Sequence, residues 1–259
     1  MLRRHAMGVR LYAMNCGWQT GPLGNFLAGE SGRIRVPTPS YLVEHPRGRV
    51  LFDSGMHLDC QTDPAARLGV IARVYDVDSR PGDEVRARLA TLDVDPGAVT
   101  YLVNSHLHYD HAGGNHQIPH ARLVVQRREW DAGHTDDGIA ANYYQPRDYD
   151  LGHDVLLVDG EHDLFGDGSV VCVPTYGHTP GHQSLRVRSE RGTVVLAADA
   201  CYLRRTLEHL HLPSIVHDPE AMRQSLGVLR ALQAAGAQIF FGHDPEFWET
   251  VPQAPAGIL

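Results

Sequence analysis

Ser105-His106-Leu107-His108-Tyr109-Asp110-His111-Ala112-Gly113-Gly114 packs three imidazoles and a carboxylate into six positions. No packing or solubility requirement asks for such a cluster. Neutral imidazole and carboxylate are the donors suited to zinc and neighbouring divalent transition metals. Alternation in His106-x-His108 places both side chains on one side of an extended segment. Asp110 and His111 then turn toward a second point nearby, so one short string can begin two metal sites. Gly113 and Gly114 allow the chain to turn tightly beyond it.

Two metals need more donors than four, and three later places offer them. Thr175-Tyr176-Gly177-His178-Thr179-Pro180-Gly181-His182 sets a histidine in a Gly/Pro turn after the apolar run Val170-Val171-Cys172-Val173. Val194-Val195-Leu196-Ala197-Ala198-Asp199 closes a buried-strand pattern with an aspartate, and Ile239-Phe240-Phe241-Gly242-His243 closes another with a histidine. Each polar residue sits at the C-terminal lip of an expected strand, where open sheets present their sites. The two oxygens of Asp199 can bridge two cations.

His-x-His-x-Asp-His, then a distant Gly-His, an Asp and a His, resembles the metallo-β-lactamase superfamily, over nearly the whole chain from the hairpin near Tyr41 to His243. The resemblance implies an αββα sandwich, with helices outside two packed sheets. It also implies a first metal held by His106, His108 and His178 and a second by Asp110, His111 and His243. Asp199 would bridge them, with a water or hydroxide between the metals. Val50-Leu51-Phe52-Asp53-Ser54-Gly55 is similar to the family's early strand-turn motif, in which Asp53 would orient a ligand.

Ser-His-Leu-His-Tyr-Asp-His-Ala-Gly-Gly-Asn further resembles the N-acyl-homoserine lactone lactonases, with Tyr109 where phenylalanine is often found. Asp199-Ala200-Cys201-Tyr202 is similar to their tyrosine three residues after the bridging aspartate. His217-Asp218-Pro219-Glu220 and Phe241-Gly242-His243-Asp244 read the same way. The resemblance implies ring opening of N-acyl homoserine lactones by a metal-bridging hydroxide, which degrades a quorum-sensing signal. Tyr202 would donate to the oxyanion and Asp110 would carry a proton to the departing alkoxide. No Gly-x-Ser-x-Gly elbow suggests a serine nucleophile instead.

Other readings stay open. A lactonase for a different ring, such as a pyridoxolactone enzyme, shares much of the pattern. A glyoxalase II-like thioester hydrolase carries a further C-terminal segment, whereas sixteen residues follow His243 here. A β-lactamase usually presents cysteine at the position of Asp199. A non-catalytic metal-binding relative would keep a costly polar cluster unused. Zinc is the expected metal, with iron, cobalt and manganese compatible. His182 is either a ligand-orienting group or a turn hydrogen bond.

The composition fits one hydrolase domain over 1–259. At 42% hydrophobic, 259 residues can bury one large core. A net charge of −8 without a Lys/Arg block argues against a nucleic-acid partner. No 18-residue apolar run suggests a membrane span. The basic start Met1–Gly8 has no apolar stretch after it, so a cytoplasmic protein is expected, as monomer or homodimer. Cys16, Cys60, Cys172 and Cys201 show no C-x-x-C spacing and are expected as free thiols. Cys172 and Cys201 are expected in the packing of the core.

Tyr41–Glu44 and Arg49–Phe52 flank the turn His45-Pro46-Arg47-Gly48 and predict a hairpin. Glu84–Leu92 has helical spacing. Val99–Val103, Leu123–Val125 and Val155–Val158 read as strands. Asp218 as N-cap and Pro219 in the first turn open a long helix with Met222, Leu226, Leu229 and Leu232 buried, which Gly236 stops. Pocket walls are expected from Met14, Cys16, Trp18 and Phe26, from the insertion 139–149 with Tyr143 and Tyr144, and from Leu212 and Ile215. His209 and His211 are further candidates for the lining.

Overall fold

A computed structural model describes residues 8–259; the basic start, Met1–Met7, lies outside the described residues. Among the described residues twelve strands form two mixed sheets. The first contains β1 (Arg10–Pro22), β2 (Arg33–His45), β3 (Gly48–Phe52), β4 (Asp76–Asp78), β5 (Tyr101–Val103), β6 (Arg122–Gln126) and β7 (Val155–Val158). Their order across the sheet is β4-β1-β2-β3-β5-β6-β7. The second contains β8 (His162–Asp163), β9 (Val170–Pro174), β10 (Gln183–Ser189), β11 (Gly192–Leu196) and β12 (Gln238–Phe240), ordered β12-β11-β10-β9-β8.

The central strands of the first sheet are buried on both faces, and their period-2 geometry divides their side chains between two cores. Val43, Val50, Phe52, Val103 and Val124 point into a core shared with Cys172, Leu185, Leu196 and Phe240 of the second sheet. Their neighbours Leu42, Leu51, Leu102 and Leu123 point the other way, onto Val85 and Leu89 of a helix at Val85–Ala90. This is the αββα arrangement: helices outside, sheets face to face.

The long helix runs over Pro219–Ala234, with Asp218 accepting from the Glu220 and Ala221 amides and Pro219 at its start. Met222, Leu226 and Leu229 are buried and Leu232 packs at the margin of the core. The hairpin of β2 with β3 is present, but β2 starts eight residues before Tyr41 and on its other side pairs with a thirteen-residue β1. Met14–Trp18 therefore lies in a strand, not a pocket loop. Among the described residues no helix is long and apolar enough to cross a membrane. All four cysteines are free and buried.

Candidate metal centre

Five strand ends converge on one edge of the sandwich. Asp53 follows β3, the His106–His111 string follows β5, His178 follows β9, Asp199 follows β11 and His243 follows β12. Because β3 and β5 run parallel, as do β11 and β12, their C-terminal ends open together. After β5 the chain bends at Ser105 and His106 and then enters a short helix, Tyr109–Ala112, which sets Asp110 and His111 beside the first two histidines. Gly113 and Gly114 have ordinary backbone angles, φ −59° and −85°, so a tight turn is not their reason. A Cβ on Gly114 would stand 2.1 Å from the Ser54 carbonyl oxygen and one on Gly113 2.6 Å from the His57 amide. Close approach of the Asp53–His57 segment requires them.

The seven residues expected as ligands come together in two groups: His106, His108, His178 and Asp199, and beside them Asp110, His111 and His243. His108 Nδ1 lies 2.9 Å from His106 Nε2 and 3.1 Å from His178 Nε2. Asp199 Oδ2 lies 3.6 and 3.3 Å from those two Nε2 atoms. Its other oxygen, Oδ1, faces His111 Nε2 at 3.3 Å and His243 Nε2 at 3.2 Å. Asp110 Oδ2 is 3.7 and 3.6 Å from the same two nitrogens. One carboxylate thus reaches both groups. Two nitrogens bound tetrahedrally to one zinc would stand roughly 3.3 Å apart, within this range.

The hydrogen bonds on the far sides of the rings test whether the centre fits a cation. His108 Nε2–H donates to the Asn142 carbonyl at 2.8 Å, His243 Nδ1–H to the Pro37 carbonyl at 2.7 Å, and His111 Nδ1–H to Asp53 at 2.8 Å. The Ser105 hydroxyl donates to Asp53, so it must accept from His106 Nδ1–H at 2.9 Å. His178 Nδ1 stands 3.2 Å from the Tyr202 hydroxyl. A neutral imidazole with one nitrogen donating keeps only a lone pair on the other. His106 Nε2 and His108 Nδ1 therefore face each other lone pair to lone pair, an arrangement that calls for a cation between them. His111 Nε2 and Asp199 Oδ1 are likewise buried without a hydrogen-bond partner.

The electrostatics agree. Burial holds His106 and His178 well below ordinary imidazole basicity, keeping their lone pairs free. Burial acts the same way on His111, but the carboxylates Asp199, Asp110 and Asp53 outweigh it and raise the group well above its ordinary value. The second group sits where positive charge is favoured.

Of the supporting residues, Glu129 and Gln19 do not stand out in the sequence, whereas Asp53 does. Fully buried Glu129 accepts from the Leu107 amide (3.0 Å), the Tyr144 hydroxyl (2.6 Å) and the Gly181 amide (2.8 Å), tying together both loops that carry the first group. Asp53 adopts φ +59°, a conformation that Asp tolerates better than most residues, and reaches both Ser105 and His111. Gln19, on β1, donates to Asp110 at 2.6 Å. His182 makes both contacts: its Nε2 accepts from the Asp199 amide at 3.1 Å and its Nδ1 pairs across the turn with Thr175 at 2.9 Å.

Tyr202 is buried, and burial together with the Asp199 carboxylate keeps its phenol protonated. Above the centre opens a cavity of about 360 Å³, walled by Phe26, Val70, Ile71, Val74, Tyr75, Tyr143 and Ile215. Phe26, Tyr143 and Ile215 are where the sequence reading puts them. Met14 and Cys16 instead pack beneath the first sheet, and Leu212 lies against the main core. Trp18 is covered by Arg35, 4.1 Å from its ring centre, and Tyr144 is committed to Glu129. His209 ends a helix away from the cavity and His211 bonds the Ala28 carbonyl. The walls from Val70 to Tyr75 have no sequence pattern that announces them.

The metallo-beta-lactamase superfamily model matches residues 33–243. N-acyl homoserine lactonase AttM of Azorhizobium caulinodans is 34% identical over 262 residues, covering 95% of this chain and 97% of that protein. N-acyl homoserine lactonase AiiA of Bacillus thuringiensis subsp. kurstaki is 29% identical over 217 residues, covering 82% and 83%. An N-acyl homoserine lactone hydrolase solved with N-hexanoyl-L-homoserine at its catalytic metal centre superposes with a TM-score of 0.87 at 27% identity, covering 97% of this chain and 100% of that one.

Proposed function

We propose that this chain, which belongs to the metallo-β-lactamase superfamily, hydrolyses the lactone ring of N-acyl homoserine lactones. The observation that carries the reading is the division of Asp199 between two donor groups, Oδ2 to one and Oδ1 to the other, at the base of an apolar cavity. His106, His108 and His178 would hold the first metal and Asp110, His111 and His243 the second, with Asp199 shared. All-nitrogen and carboxylate donors suit zinc. Two bound cations would supply Lewis acidity and a water acidic enough to ionise near neutrality.

The chain's own groups do the rest. The Tyr202 hydroxyl can accept from His178 Nδ1–H and aim its proton into the cavity, toward the oxygen that gains charge as the carbonyl becomes tetrahedral. Asp110 presents a carboxylate at the cavity wall to receive a proton and return it to the ring oxygen as the ring opens. Phe26, Val70, Ile71 and Ile215 exclude water and offer apolar contact to an acyl tail. A cavity of this size lies near the lower end of small-molecule sites, about 300–1,000 Å³, matching a lactone head with its tail leaving over the rim.

The experiment is mass-spectrometric. Zinc-replete protein, incubated with an N-acyl homoserine lactone, should convert it to the product heavier by one water. A chelator should stop the reaction and added zinc restore it, with about two metals per chain by elemental analysis. Fully metallated protein that leaves the lactone intact would refute the substrate assignment.

A further inference from the structure

Gln19 is not among the seven candidate ligands, yet it is 3% exposed and lines the cavity. It lies just past an irregularity in the β1–β2 pairing between Asn15 and Trp18, where Gly17 adopts φ +115°. Such bulges re-aim side chains beside sites. Its Nε2 is 2.6 Å from Asp110 Oδ2, and its Oε1 takes a short hydrogen bond from the Tyr109 hydroxyl. The proton directions follow from chemistry: a carboxylate can only accept, so the amide must turn its NH₂ to Asp110 and its oxygen to Tyr109, which must donate.

Asp110 Oδ2, the oxygen held by Gln19, is also the one facing His111 and His243. Among the described residues no other group donates a hydrogen bond to this carboxylate. The five imidazoles are each oriented from behind by an oxygen; Asp110 is oriented by an amide. A neutral amide fixes the carboxylate plane through one lone pair and leaves the other, with the full negative charge, for a cation.

We propose that Gln19, set by Tyr109, is a positioning residue that holds Asp110 in its metal-binding and proton-accepting orientation. This rests on the reading of Asp110 as a ligand of the second metal.

The test uses full-length Gln19→Met, which keeps length and loses the hydrogen bonds, Tyr109→Phe, the double variant, and Asp110→Ala, each titrated with zinc against a chromophoric chelator. Gln19→Met should bind its second zinc about 10–100-fold more weakly, the usual effect of losing a ligand-orienting partner, with the first zinc unchanged. Turnover of the lactone, whose alkoxide leaving group needs a proton, should fall further than turnover of an aryl ester, whose leaving group does not. The double variant removes the phenol left unpaired in Gln19→Met, so its melting temperature should recover while its second zinc stays weak. Recovery of zinc affinity along with melting temperature would overturn the proposal, because Gln19 would then serve only to satisfy Tyr109. Wild-type zinc affinity in Gln19→Met with one zinc lost in Asp110→Ala would overturn the Gln19 proposal alone. Two zincs retained in Asp110→Ala would overturn the ligand reading and the proposal with it.

Discussion

At the floor of the cavity the candidate ligand histidines are backed by oxygens on Ser105, Asn142, Asp53, Tyr202 and Pro37, whereas at its rim Val70 and Tyr143 are 59% and 60% exposed. The floor assembles strand ends from both sheets; the rim is built from the 64–75 segment and the 139–149 insertion, tied below by the buried Arg67–Asp148 ion pair. A buried, interlinked polar network has few alternative arrangements, so a change anywhere in it is transmitted to the centre. An exposed apolar rim has little to transmit. The floor is thus suited to chemistry, where geometry must not vary, and the rim to selection among tails.

Substitutions can break or sharpen that contrast. Asp199→Ala removes the carboxylate common to both groups and should cut activity more than about 10³-fold, beyond the 10²–10³ of a single oxyanion donor. Elemental analysis should find fewer than two metals per chain; unchanged metal content would remove the shared-ligand assignment. Tyr202→Phe deletes a donor but no ligand, so kcat should fall about 10²–10³-fold with metal content intact. Metal loss in that variant would move Tyr202 from the reacting oxygen to the support of His178. At the rim, Ile215→Ser should raise KM for long-chain lactones by no more than roughly fourfold for each tail methylene it leaves uncovered, from about 0.8 kcal/mol apiece, and leave kcat and short-chain substrates alone. A large kcat effect there would erase the distinction between floor and rim.

How far each region is legible in the sequence follows the same division. The His106–His111 string, His178, Asp199 and His243 are visible because a metal centre needs rare donor types at strand ends, and apolar runs ending in one such residue betray it. Asp53 is visible for the same reason. Glu129 and Gln19 are not, since a lone glutamate in Gln126-Arg127-Arg128-Glu129 and a lone glutamine in Trp18-Gln19-Thr20 look like ordinary surface residues. Only the fold turns them inward. Gly17 and the bulge interrupt the alternation of β1, and Met14 and Cys16 pack into the outer core instead of the expected pocket wall.

The sequence by itself determined the candidate donors and the order of the motifs, because ligand chemistry is a local property of the chain, and the two-sheet α/β framework followed from the family resemblance that those motifs carry. The tertiary structure alone decided which tautomer each imidazole adopts, which Asp199 oxygen faces which group, and which walls meet above them. Those depend on hydrogen bonds and contacts between segments as distant as Pro37 and His243 or Gln19 and Asp110, and no local pattern encodes a partner 206 or 91 residues away.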